Sequence, residues 1–263
     1  MEVKNTINDK SQIKPKLKRF IYKHTGIEDI DLYRKLYEIP YILNDWETTL
    51  TVVYNLEGDN KFNILIKSKE NEKDPCLLIS LNSSSSFYIN LVETRNKTCD
   101  LPTSRAGTWI MHLIDKLALE LEISYIYLFD ESNVKCDRFI ISLTMLRIYN
   151  GGRSWYESFG YKPEKIDDKE YKQLLDDYIN TPIETALEDV RRLVLTDNKL
   201  EIIEPLEGET LGKYMTYLSE HDCELYYNLE RYFNKLRYLE NPPEWVNQRM
   251  LIEQCNMFSK HIV

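Results

Sequence analysis

Few residues in this chain have both the type and the setting to do chemistry. Tyr156 lies in the aromatic run Trp155-Tyr156-Glu157-Ser158-Phe159-Gly160-Tyr161, and a phenol can donate a proton or a hydrogen bond. Glu93 closes a run of strand-forming residues, where a carboxylate can accept a proton. Ser104-Arg105-Ala106-Gly107-Thr108 stands at the start of a helical pattern. There, free backbone N–H groups and the helix dipole favour anions. Asp130 and Glu131 end a compact apolar strand and are placed to meet an amine. Each has a plainer reading: a packed tyrosine, a solvated strand end, and hydroxyls of Ser104 and Thr108 that only cap a helix.

Other chemistries lack their residues. The four histidines, His24, His112, His221 and His261, are dispersed. His221-x-Cys223 lacks the second ligand pair of a structural zinc site, so no metal centre is expected. There is no Gly-x-Ser-x-Gly, no Walker loop and no dinucleotide fingerprint.

The elements that must position these residues follow from periodicity. Helical spacing predicts helices near Pro15–His24 and Ile30–Tyr37, with Pro40 ending the second. Short apolar or β-branched runs, Leu50–Leu56, Phe62–Lys67, Cys76–Leu81 and Phe87–Glu93, alternate with turn-forming segments and predict a four-stranded antiparallel meander. Ser83–Ser86 reads as its last hairpin loop. Trp109–Leu121 has one apolar face and predicts a helix. Ser124–Phe129 reads as a central strand buried on both faces. A further helix is expected over Arg138–Tyr149, broken at Asn150-Gly151-Gly152. From Asp167 onward the pattern is mainly helical.

A length of 263 residues suits a core with a smaller partner. With 43% hydrophobic and 29% charged residues the chain is expected to fold as a soluble globular protein. A net charge of −9 argues against general affinity for nucleic acid. The local exception is Lys10, Lys14, Lys16, Lys18 and Arg19, which read as a solvated tail and helix face or as a contact for a phosphate-bearing partner. No apolar run approaches the ~20 residues that span a bilayer. The five cysteines are scattered, without a C-x-x-C pair. Together with the lack of a signal peptide, this points to a reducing compartment such as the cytoplasm.

The order of elements and the segment Trp155–Tyr161 resemble the GCN5-related N-acetyltransferases, whose late motif is Leu-Tyr-Glu-Lys-x-Gly-Phe. The likeness runs from about Cys76 to Pro163. Ile141-Ser142-Leu143 and Gly152-Arg153-Ser154-Trp155-Tyr156 are also similar to a divergent acetyltransferase-like group of giant DNA viruses. The resemblance implies an α/β fold: a mixed, mainly antiparallel sheet flanked by helices, here with a C-terminal helical subdomain. It implies acetyl-CoA as acetyl donor and an amine as acceptor. It also implies that Tyr156 protonates the departing thiolate and that Gly160 permits a tight turn. A bulge on the fourth strand would offer backbone N–H to the acetyl carbonyl, and Glu93 would be the base.

The family's phosphate loop, Gln/Arg-x-x-Gly-x-Gly/Ala, corresponds to Pro102–Gly107. Only Gly107 fits its last position. A shorter register has Ser104, Arg105, Ala106, Gly107 and Thr108 holding the diphosphate of coenzyme A. The expected division is 1–48 as an N-terminal helical segment, 49–166 as the acetyltransferase-like core and 167–263 as helical subdomain. The alternative is a non-catalytic scaffold or virion assembly component that meets a protein partner through its C-terminal helices.

Overall fold

The computed structural model describes residues 10–43, 46–55, 61–67, 75–81, 83, 85–92, 106–130, 132–194, 205 and 208–262. The fold is mixed α+β, with a mainly antiparallel sheet flanked by helices and a helix-rich C-terminal region. The chain divides into two compact units, Met1–Phe129 with Ser259–Val263, and Asp130–Phe258.

In the first unit, α1 (Lys10–Thr25) precedes five antiparallel strands in sequence order: β1 (Tyr37–Leu43), β2 (Trp46–Asn55), β3 (Lys61–Ile66), β4 (Leu77–Leu81) and β5 (Ser86–Val92). Strands β2 to β5 are the expected meander. The helix expected over Ile30–Tyr37 is not formed: a turn at Leu32–Arg34 leads into β1 at Tyr37. Tyr37, Ile39, Tyr41 and Leu43 are buried and alternate with exposed Glu38, Pro40 and Ile42, a strand period of two. Pro40 ends no helix. Among the described residues its strand pairs with β2 and stands at the end of the strand order, where a missing N–H can face outward. Helix α1 also starts ahead of Pro15, at Lys10.

Helix α2 (Ala106–Glu120) buries Ile110, Met111, Leu113, Ile114, Leu117 and Ala118. Full burial of each larger side chain is worth about 1.5–3 kcal/mol. Glu120 fastens α2 to its neighbours. Its carboxylate accepts from the Tyr41 hydroxyl at 2.9 Å, lies 2.8 Å from His24 Nε2 and pairs with Lys23 at 3.2 Å. Burial alone would raise this carboxyl's pKa, but those partners hold it below its usual range. The basic face of α1 is engaged in the same unit. Lys16 donates to the Glu122 carbonyl, Arg19 pairs with the Glu122 carboxylate, and Lys14 lies over the Tyr33 ring.

After α2 comes β6 (Tyr125–Phe129), which pairs with β5 in parallel; Tyr88 stacks on its partner Tyr127 with centroids 5.0 Å apart. The C-terminal residues return to this unit. Ile262 N–H donates to the Ser124 carbonyl, and Lys260 pairs with Asp115 at 2.7 Å.

The second unit opens with a hairpin, β7 (Asn133–Cys136) and β8 (Phe139–Ser142), followed by α3 (Leu143–Gly151). The helix expected over Arg138–Tyr149 therefore begins at Leu143. Asp137 takes a positive φ of 52° in the tight turn, and Ser142 caps α3 by accepting from Met145 N–H. A 3-10 turn (Tyr156–Phe159) and β9 (Lys162–Pro163) follow. Then come α4 (Asp168–Ile179), α5 (Ile183–Val194), α6 (Leu211–His221), α7 (Cys223–Leu236) and α8 (Glu244–Gln254). The last strand, β10 (Met257–His261), interrupts the expected helical tail, and its Met257 carbonyl accepts from Glu164 N–H beside β9.

Gly212 lets three helices of this unit meet closely. A Cβ there would lie 3.1 Å from Ile179 Cβ on α4 and 3.2 Å from the Tyr149 carbonyl on α3. A disulfide joins Cys136 on β7 to Cys223 at the start of α7, with Cα atoms 5.7 Å apart and 87 residues between them in sequence. Cys76 is also disulfide-bonded, and Cys255 is a buried free thiol. These bonds run against the reducing compartment expected from cysteine spacing, since disulfides persist where conditions oxidise. Sequence spacing hid the pair because folding, not local sequence, brings β7 to α7. Among the described residues, no helix is long and apolar enough to cross a membrane.

Candidate functional site

Of the residues singled out from sequence, Glu93, Ser104 and Arg105 lie outside the described residues, as does Glu131. Ala106, Gly107 and Thr108 form the first turn of α2 and are half-buried. A first helical turn has no intrahelical acceptor for its N–H groups. Here those N–H groups make no hydrogen bond to a described residue, and no acidic side chain occupies that turn. The positive end of the helix dipole is thus uncompensated within the described residues.

Strand β5, the expected fourth strand, carries an irregularity. Leu78 opposes Leu91, but the next residue, Ile79, opposes Ile89. Asn90 is the extra residue of a β-bulge, which leaves ladder groups unpaired and bends the strand. The parallel register with β6 runs from Ser86–Tyr125 to Ile89–Leu128 and stops where the bulge begins. The bulge and the first turn of α2 both belong to the first unit.

Tyr156 belongs to the second unit. Ser154 and Glu157 build the turn that holds it: Glu157 Oε2 accepts from Ser154 N–H at 2.6 Å, and Ser154 Oγ accepts from Glu157 N–H at 3.4 Å. This reciprocal capping makes Glu157 a structural residue. Burial, the main influence, raises its carboxyl's pKa, while the Ser154 bonds pull it down. Gly160 ends the turn with φ 83°, a conformation that side chains resist. The Tyr156 ring packs against Trp155, Tyr161 and Phe258, with centroids 5.0, 6.2 and 6.4 Å away.

The Tyr156 hydroxyl has no hydrogen-bond partner among the described residues. Burial first, and then the nearby charge of Asp130, push its pKa well above the usual phenol value. It therefore stays protonated across the working pH range. Tyr171 on α4 is raised in the same way, by burial first and then by Glu157, Cys255 and Asp130. Nothing in the spacing of Tyr171 announces this proximity.

Asp130 follows β6 in sequence and is 6% exposed. Its Oδ1 accepts from Ser132 Oγ at 2.6 Å and Ser132 N–H at 3.2 Å. Oδ2 is buried and has no hydrogen-bond partner among the described residues. Burial raises its carboxyl's pKa, only partly offset by the hydroxyls of Ser132 and Thr144. A carboxyl whose pKa is raised in this way is a candidate for proton exchange. Asp130 also lines a pocket of ≈ 280 Å³ in the second unit.

A buried polar network that periodicity did not reveal stands beside this pocket. Arg249, 3% exposed, holds Glu230 through two contacts of 2.6 and 3.1 Å and Glu253 at 2.9 Å. Tyr149 donates to Glu230 at 2.8 Å and lies 2.7 Å from the Tyr178 hydroxyl. The only local signal was the Arg249–Glu253 helical spacing. No family model, no curated protein and no solved structure matches this chain.

Proposed function

We propose that this chain is an acetyl-CoA-dependent N-acetyltransferase-like protein that moves an acetyl group to an amine. The observation that carries the reading is the bulge at Asn90, on the strand whose parallel pairing with β6 ends at Ile89. A bulge frees backbone N–H groups, and such a group polarises a thioester carbonyl as negative charge develops on it. The N–H groups of Ala106, Gly107 and Thr108, which bond to no described residue, suit the coenzyme's diphosphate, with Ser104 and Arg105 assigned to the same loop.

In the reaction, the neutral amine attacks the acetyl carbonyl, and the carbon–sulfur bond breaks. Glu93 takes the proton released by the amine. Tyr156, kept protonated by burial, supplies a proton to the coenzyme A thiolate. Asp130, buried and with one oxygen unpartnered among the described residues, is a second carboxylate suited to the base role. The test is release of free coenzyme A thiol from acetyl-CoA across a panel of amines. Tyr156→Phe should lower kcat far more than it raises KM, by a factor of about 10²–10⁴ if the phenol acts as general acid. An unchanged kcat would remove Tyr156 from the role.

A second reading, a scaffold that binds a protein partner through its helices, is favoured by the packing of Tyr156 among Trp155, Tyr161 and Phe258. In that case the wild-type chain releases no thiol with any amine.

A further inference from the structure

The ≈ 280 Å³ pocket of the second unit has walls from β8, α3, α7 and α8. It sits at the small end of ligand sites, room for roughly ten non-hydrogen atoms. Five charged side chains line it: Asp130, Glu230, Arg231, Arg249 and Glu253. Three of them are neutralised together with Arg237 outside the pocket, because Arg249 binds both Glu230 and Glu253, and Glu253 also pairs with Arg237. Two charges are left without an ionic partner among the described residues. One is Asp130, whose buried Oδ2 accepts no hydrogen bond from a described residue. The other is Arg231, exposed, with its guanidinium over the Tyr227 ring at 5.9 Å.

A buried anion and an exposed cation in one small pocket call for a ligand carrying both opposite charges. A buried carboxylate oxygen without a donor is costly, and an ammonium group supplies up to three. A guanidinium matches a carboxylate in a two-bonded fork. Ile141, Met145 and Ile252 supply buried apolar wall to the same pocket. A polyamine would bring surplus positive charge to Arg231. A simple carboxylic acid would leave Asp130 unmatched and bring it a like charge.

We propose that this pocket binds a small apolar amino acid as its zwitterion, with the ammonium toward Asp130 and the carboxylate toward Arg231. As a binding site it stands without the transferase reading. As the site of the acetyl acceptor it rests on that reading, and the acceptor amine is then the α-amine of a free amino acid.

The experiment is calorimetric titration of the full chain with L-leucine, isoamylamine and isocaproate, without acetyl-CoA. The last two are leucine lacking its carboxylate and leucine lacking its amine. Leucine should bind, and each partial ligand should bind at least about tenfold more weakly, the loss of one good charged contact. Arg231→Met, at an exposed position that tolerates change, should weaken leucine about tenfold and leave isoamylamine unaltered. Asp130→Asn should weaken isoamylamine. Equal affinity for leucine and isoamylamine, an Arg231→Met titration like wild type, or no heat with leucine at tens of millimolar overturns the proposal. Leucine binding without acetyl transfer keeps the pocket and removes the transferase. Acetyl transfer to other amines with no leucine binding does the reverse.

Discussion

Removing the charge of Glu230 should destabilise the helical unit by an amount that its neighbours largely fix. Arg249 keeps 4% of its side chain exposed and Glu230 13%, so neither charge is well hydrated. Losing one partner of a buried pair costs about 3–5 kcal/mol, because the other charge stays buried and uncompensated. In Glu230→Gln, Arg249 retains Glu253, which is 27% exposed and shared with Arg237. Tyr149 also loses its charged acceptor. These terms place the loss near the lower end of that range, about 3 kcal/mol. For a chain of this size that lowers Tm by roughly 6–12 °C. Urea denaturation followed by circular dichroism, together with calorimetry, measures both quantities. Replacing the pair together, Arg249→Met with Glu230→Met, should be less damaging than Glu230→Gln alone, since no charge is left stranded. A loss for Glu230→Gln below about 1 kcal/mol would refute the buried-pair reasoning.

The Cys136–Cys223 bond closes 87 residues, and chain entropy for such a loop amounts to about 4.6 kcal/mol. The double serine variant should lose about 2–4 kcal/mol; a wild-type denaturation midpoint, or two reactive thiols at these positions in the oxidised protein, would contradict the bond. Asp130 has a folded-state pKa raised by burial. Its neutral form costs nothing below the normal aspartate range, and the penalty grows as pH climbs through the raised value. The Tm advantage of Asp130→Asn over wild type should therefore widen as pH rises above the normal aspartate range, and a constant difference would show that the carboxyl is not perturbed. Gly160→Ala forces a side chain into φ 83° and should cost about 1–2 kcal/mol; a neutral result would mean that the turn after Tyr156 relaxes freely.

Much of the fold was legible wherever one local rule dominated. The apolar face of α2 repeats at helical spacing, and β2 to β5 are separated by recognisable turn residues. The turn at Gly160, which the resemblance implied, is formed. The misreadings came where two local rules compete. Around Tyr37–Leu43, alternating burial and Pro40 both speak, and an edge position reconciles them. Arg138–Ser142 carries residues that serve a helix or a strand, and the hairpin partner Asn133–Cys136 decides. The candidate site was legible at Tyr156 and at the start of α2. The Asn90 bulge depends on pairing between strands, and the Arg249 network joins α3, α7 and α8 across distances no sequence window spans. Likewise Cys136 meets Cys223 only because the second unit folds.

The most direct test is calorimetric titration of the wild-type chain with coenzyme A, because diphosphate capture by the first turn of α2 underlies the transferase reading. We expect saturable binding at one site per chain, accompanied by a rise in Tm that grows with ligand concentration. Absence of both heat and thermal shift at millimolar coenzyme A would contradict it and leave the scaffold reading in its place.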